Sequence, residues 1–188
     1  MSIEIIILGS NSFSGASFVD FALSRNFIVT GISRSKQPNN VFLPYFNNIN
    51  KEDNFSFYQL DLNNNLDEII SLIKKKEPEY IFNFAAQGMV AESWNYPEHW
   101  FTTNAVSTTK LFNQLKDFSF IKKYVHITTP EVYGSCSGFI DEKTSYNPST
   151  PYAASRAAGD MSLKTFIDSY KFPAVFTRAA NVKTAGNL

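Results

Sequence analysis

Two segments of this chain carry side chains able to move a proton and a hydride: Thr128-Thr129-Pro130-Glu131-Val132-Tyr133-Gly134 and Tyr152-Ala153-Ala154-Ser155-Arg156. Together they offer a hydroxyl, a carboxylate and a phenol with a cation nearby, a set suited to hydride chemistry on a sugar alcohol. A phenol with an ordinary pKa of about 10 is a poor base at neutral pH, so a tyrosine that removes a hydroxyl proton needs positive charge beside it. Arg156 stands four residues after Tyr152, and residues at that spacing share one face of a helix. Pro148-Ser149-Thr150-Pro151 precedes them, and a proline in a first helical turn predicts a helix opening at Pro151. Plainer readings stand beside these: Arg156 paired with a surface carboxylate, and Glu131 capping backbone amides in a turn.

The elements that must position these groups follow from the apolar pattern. Ile3–Leu8, Phe27–Ser33, Phe55–Gln59, Tyr80–Phe84, Tyr124–Thr128 and Ala174–Arg178 read as strands, several of them apolar throughout and hence buried on both faces. Between them, Ser14–Arg25, Leu66–Lys76, Glu98–Asp117 and Pro151–Tyr170 show helical spacing. Repeated β-α units of this kind predict an α/β fold with a parallel, doubly wound sheet. The stretch from Ser33 to Asn54, rich in asparagine and proline, reads as a long irregular connection. The aromatic run Trp94, Tyr96, Trp100 and Phe101 reads as packing against the sheet.

The first strand runs through Gly9-Ser10-Asn11-Ser12-Phe13-Ser14-Gly15 into a helix, the context that a dinucleotide phosphate turn requires. Ser12 stands where the middle glycine of that fingerprint would be; its hydroxyl can donate to a phosphate, and the amides at the helix start attract an anion. An ordinary Gly/Ser turn capping a helix is the plainer reading. The second strand ends Ser33-Arg34-Ser35-Lys36 with no carboxylate to hold a ribose 2′-hydroxyl. Arg34, helped by Ser33, Ser35 and Lys36, suits a 2′-phosphate, so NADP is expected over NAD, which remains possible. Otherwise Arg34 and Lys36 are solvated loop cations.

Taken together, the phosphate turn, Thr129-Pro130-Glu131-Val132-Tyr133-Gly134 and Tyr152…Arg156 resemble the extended short-chain dehydrogenase/reductase family, in particular its nucleotide-sugar 4,6-dehydratase branch. There the pattern reads Ser-Thr-Asp-Glu-Val-Tyr-Gly and then Tyr-x-x-x-Lys, so Pro130 and Arg156 depart from it. The resemblance implies a Rossmann fold and extends the cofactor contacts of residues 9 to 15 to Asp61 and Leu62, to Ala85-Ala86-Gln87 and to Asn104, with Tyr152 and Arg156 on the ribose. It implies that Thr129 orients the sugar 4-hydroxyl, Tyr152 takes its proton and Glu131 takes the carbon 5 proton before water leaves carbon 6, with Gln87, Glu131 and Asn181 on the substrate side. A nucleotide-sugar decarboxylase, a 4-epimerase and a noncatalytic NADP-binding protein are the alternatives; Glu131 argues against the epimerase. A homodimer is expected. Arg178-Ala179-Ala180-Asn181-Val182 resembles the family strand that precedes a substrate domain, so residues 1–188 are expected to form the dinucleotide-binding domain alone, with little turnover by itself.

Composition narrows the rest. The chain has 188 residues, 44% hydrophobic and 15% aromatic, enough for one sizeable core. Seventeen basic and seventeen acidic residues cancel, leaving no electrostatic footprint for nucleic acid or an anionic membrane. The apolar run at Ile3–Leu8 is too short for a bilayer and lacks the basic flank of a secretory signal, and a single Cys136 suits a reducing compartment, so a cytoplasmic location is expected. His99 and His126 have no partners at metal-ligand spacing, and no metal is expected.

Overall fold

A computed structural model describes residues 3–48 and 54–180. Its six strands are β1 (Glu4–Leu8), β2 (Ile28–Ser33), β3 (Phe55–Gln59), β4 (Tyr80–Asn83), β5 (Lys123–Thr128) and β6 (Ala174–Arg178). All neighbours pair in parallel, in the order β3-β2-β1-β4-β5-β6. The helices are α1 (Phe13–Ser24), α2 (Leu66–Lys76), α3 (Pro97–Phe101), α4 (Thr108–Leu115) and α5 (Pro151–Tyr170). This is the doubly wound Rossmann arrangement, and the element boundaries read from the sequence hold to within a residue or two except in the α3–α4 region.

β1 explains why its sequence is apolar throughout. Ile5 and Ile7 face one layer, packing with Val19, Ala22 and Leu23 of α1. Ile6 and Leu8 face the other, with Ile69 and Ile73 of α2 and Leu111 of α4. Each such side chain contributes roughly 1.5–3 kcal/mol on leaving water. At the end of β4, the fully buried Asn83 donates to the Tyr124 hydroxyl at 2.7 Å and accepts from the Ala85 amide at 3.0 Å, turning the chain out of the sheet.

The expected helix over Glu98–Asp117 is interrupted. Thr102–Ser107 forms a π-helical turn between α3 and α4. Its carbonyls need new donors, and the Thr108 hydroxyl supplies one to the Thr103 carbonyl at 2.8 Å. Gly159 of α5 lies against this turn: a Cβ there would sit 2.3 Å from the Asn104 carbonyl oxygen. The aromatic run also departs from expectation. Trp100 is buried, its indole N–H donating to the Gly88 carbonyl at 2.6 Å, but Trp94, at the end of the short turn Ala91–Trp94, and Tyr96, just before α3, are exposed. The connection after β2 is less irregular than its composition suggests, with two single 3₁₀ turns, Asn40–Phe42 and Phe46–Asn48, around a fully buried Tyr45.

Candidate functional site

The winding direction of the sheet reverses between β1 and β4, and a cleft of about 260 Å³ opens at the carboxyl ends of β1, β2 and β4. Ligands of doubly wound sheets bind at this switch point. Gly9, Asn11 and Ser12 line it from the first turn; Ser33, Arg34 and Ser35 line it from the end of β2. Asp61 and Leu62 follow β3, and Ala85 and Ala86 follow β4.

Two glycines make the turn possible. Gly9 has φ +80°, and a Cβ on it would lie 2.6 Å from the Ala85 amide nitrogen, so backbone meets backbone across the switch point. Gly15 is closed in the same way: its Cβ would meet the Gly9 carbonyl oxygen at 2.2 Å. Ser12 has extended backbone angles that any residue adopts (φ −70°, ψ 157°), so the missing middle glycine costs no strain. Its Oγ accepts the Gly15 amide at 3.1 Å as the N-cap of α1. The hydroxyl proton remains free to donate, and the Phe13 and Ser14 amides find no acceptor among the described residues. That donor set, with a helix N-terminus behind it, fits a pyrophosphate.

At the rim, Arg34 is exposed and donates to the Gln87 side-chain oxygen at 2.9 Å, bridging the ends of β2 and β4. Asn11 ties the phosphate turn to the same edge: its amide donates to Ser33 Oγ at 2.9 Å and its side chain to the Ser35 and Lys36 carbonyls at 3.0 Å. Among the described residues no carboxylate lines the end of β2. Asp61 lies across the cleft, its oxygens accepting from the Asn63 amide and the Asn64 side chain, both at 2.9 Å.

The second group assembles around β5. Thr129 directly follows the strand and caps the 3₁₀ turn Pro130–Tyr133, its Oγ accepting from the Glu131 amide at 3.3 Å. The Glu131 side chain is exposed. Thr150 caps α5 by accepting from the Ala153 amide at 3.1 Å, with Pro151 in the first turn. Tyr152 is half-buried, and its amide donates to Ser93 Oγ at 3.1 Å. Arg156 is 3% exposed and donates to the Ile127 carbonyl of β5. Burial pushes its guanidinium below the ordinary value, while Tyr152, Asp160 and Tyr124 act to raise it.

The sequence profile of the GDP-mannose 4,6 dehydratase family matches residues 6–186. The chain belongs to this family. It is 29% identical to a dTDP-glucose 4,6-dehydratase of Xanthomonas campestris pv. campestris over 194 residues, covering 94% of this chain and 52% of that one. Two solved structures show the same likeness. The dTDP-glucose 4,6-dehydratase of Bacillus anthracis, in complex with NAD, has a TM-score of 0.78 at 26% identity over 94% of this chain and 54% of that one. A UDP-N-acetylglucosamine 4-epimerase of Methanobrevibacter ruminantium has a TM-score of 0.80 at 27% identity over 95% and 55%. The chain thus spans about half the length of the dehydratases it matches.

Several expectations change against this geometry. Asn104 acts as a brace in this structure: it is buried, accepts from the Gln87 amide at 2.8 Å and donates to the Gln87 carbonyl at 3.0 Å and Ser155 Oγ at 2.9 Å. Phe13 and Ser14 come to the site through their backbone amides and not their side chains, Phe13 being half-exposed, and Gly15 serves the packing of α1 on the turn. Arg156 is no surface ion pair, since it lies inside the molecule against β5. Asn181 falls outside the described residues. His126 is a core residue, and Asp160 was missed altogether: both are buried, 3.5 Å apart, with Asp160 also accepting from Arg178 at 2.9 Å. The available signal was an aspartate two turns beyond Tyr152 on the face that carries Arg156. Among the described residues no group of acidic, histidine and cysteine side chains can hold a metal, and no helix is long and apolar enough to cross a membrane.

Proposed function

We propose that this chain binds NADP at the switch-point cleft and supplies Thr129, Glu131, Tyr152 and Arg156 to the 4,6-dehydration of a nucleotide sugar. The observation that carries the reading is that these four residues gather at the carboxyl end of β5, one strand along from the Gly9–Ala85 contact, with a buried cation one turn from the phenol. Bound there, the nicotinamide supplies a hydride acceptor that gives the hydride back within one cycle. Tyr152 takes the proton of the 4-hydroxyl, aided by the positive charge of Arg156. Thr129 has its Oγ lone pair on the Glu131 amide, which leaves its O–H to orient the same sugar oxygen. Glu131, exposed after the 3₁₀ turn, takes the carbon 5 proton once the neighbouring carbon is a ketone. Pro130 offers no acid, so the proton given to the departing 6-hydroxyl comes from Glu131 after it has been loaded.

Arg34 supports NADP, because a guanidinium at the end of β2 with no carboxylate beside it among the described residues matches a 2′-phosphate. The complex of the Bacillus anthracis relative with NAD makes this the point to test first. Calorimetric titration should give tighter binding of NADP than of NAD, with Arg34→Ala weakening NADP by about tenfold and leaving NAD unchanged. Tighter NAD binding overturns the preference. Incubation with NADP and a panel of hexose nucleotides should yield a 4-keto-6-deoxy product; Glu131→Gln should stop dehydration and spare the first oxidation. Carbon dioxide released from a uronic acid nucleotide, or a 4-epimer with no loss of water, would replace this reading by the decarboxylase or the epimerase. A cytoplasmic homodimer belongs to the same reading; sizing by light scattering tests the dimer.

A further inference from the structure

A buried polar cluster lies behind the proposed base, and of it the chemistry above uses only Arg156. Along α5, Tyr152, Arg156 and Asp160 follow one another at intervals of four, on the face turned to the sheet. From β5, Tyr124 and His126 face them; from β6, Arg178; and from the loop before α5, Tyr146. Asp160 is fully buried and accepts from Arg178 at 2.9 Å and from the Tyr146 hydroxyl at 3.3 Å, with His126 Nε2 at 3.5 Å. Arg156 makes a single hydrogen bond, to the Ile127 carbonyl, and its Nε has no partner among the described residues.

The charges do not cancel. Burial holds His126 below its ordinary value and so neutral, with the nearby Arg156 and Arg178 charges also lowering it against the raising effect of Asp160. Arg156, Arg178 and Asp160 then leave one net positive charge inside the molecule, one helical turn from Tyr152. In a low-dielectric interior such a charge acts over long distances.

We propose that Asp160 is a positioning residue for Tyr152: by holding the part-buried Arg178 and offsetting one of the two guanidinium charges beside it, it sets how much positive charge reaches the phenol. Removing its charge while keeping its shape exposes Tyr152 to a second uncompensated cation and favours the phenolate. Only the use of that phenolate in turnover rests on the function proposed above; the electrostatic relation stands or falls on its own.

The test reads ionisation directly, by carbon NMR of ring-labelled tyrosine in the full 188-residue chain without cofactor, with Tyr152 assigned from a Tyr152→Phe copy of each protein. Asp160→Asn should lower the midpoint of the Tyr152 signal by about one pH unit, the size of a unit charge roughly 12 Å away in a protein interior. The double variant D160N/R178Q restores one net charge and should bring the midpoint back toward the parent. A cluster that only holds the fold together predicts no such reversal. Should D160N fail to fold, Arg178→Gln and the double variant differ by the same Asp160 charge, and the double variant should ionise at the lower pH. An unmoved or raised midpoint in D160N, or no difference between the latter pair, overturns the proposal.

Discussion

The carboxyl ends of the strands carry two polar regions built on opposite terms. At β1, β2 and β4 the cleft is made of backbone and small side chains: Gly9 pressed against Ala85, Ser12 spent on a helix cap, Arg34 exposed at the rim. At β5 and β6 the polar groups are large and charged, with Asp160 and His126 buried, Arg178 part-buried beside them, and several polar atoms without partners among the described residues. The first region leaves room and donors for something from outside. The second fills its own space and turns charge inward. The first region is thus shaped mainly by what is left out, and the second by what is packed behind it.

The contrast breaks most sharply at Asp160. Asp160→Ala leaves Arg178 and Arg156 without their carboxylate and should destabilise the fold by about 3–5 kcal/mol, read from the urea midpoint. A loss below about 1 kcal/mol would mean that the cluster is solvated and the comparison mistaken. Gly9→Ala attacks the other region through the backbone, since φ is +80° and the Cβ would meet Ala85. We expect roughly 2–3 kcal/mol of lost stability, together with loss of NADP binding by calorimetry. Retained binding would remove the Gly9–Ala85 contact from the cofactor site.

Acid should find the buried region first. His126 is held below its ordinary value of 6.5 mainly by burial, so the unfolded chain binds a proton there that the folded chain refuses. The stability it contributes is complete above that value and is lost as pH falls through it toward the lowered folded one. Asp160 adds a second loss in the same direction: burial raises its carboxyl, but His126, Thr128 and Arg156 outweigh this and hold it below its ordinary 3.8, so its contribution fades as pH falls below that. Urea midpoints measured from about pH 8 to about pH 2 should fall in this order, and His126→Phe should flatten the upper step. The smallest effect belongs to the cleft. Ser12→Gly exchanges one N-cap for another at a cost of a few tenths of a kcal/mol, and NADP affinity should stay within about threefold if the Phe13 and Ser14 amides do most of the holding.

What the sequence made legible divides along the same line. Strands and helices were readable because β1, β2 and β4 bury both faces and α2 is amphipathic, and turn chemistry announced itself in Gly9, Thr150 and Pro151. The cleft could be read residue by residue, because backbone turns depend on local residue types. The π-turn at Thr102–Ser107 could not: it inserts one residue into a helical period, and the glycine packed against it, Gly159, lies far along the chain. Asp160 escaped for a related reason. A carboxylate within an alanine-rich helix looks solvated until the sheet supplies His126 and Arg178 from two other strands.

The contact of Gly159 with the Asn104 carbonyl has a mechanical meaning. Asn104 grips Gln87 on one side and Ser155 on the other, so the loop beneath the cleft and the helix bearing the phenol are bolted through a single side chain. A bulkier residue at position 159 would act as a wedge driven into that joint, tilting the cleft wall and the phenol together. Spacing between the two working parts of this protein is therefore set like the gap of a caliper, by one hydrogen atom where any other residue would bring a carbon.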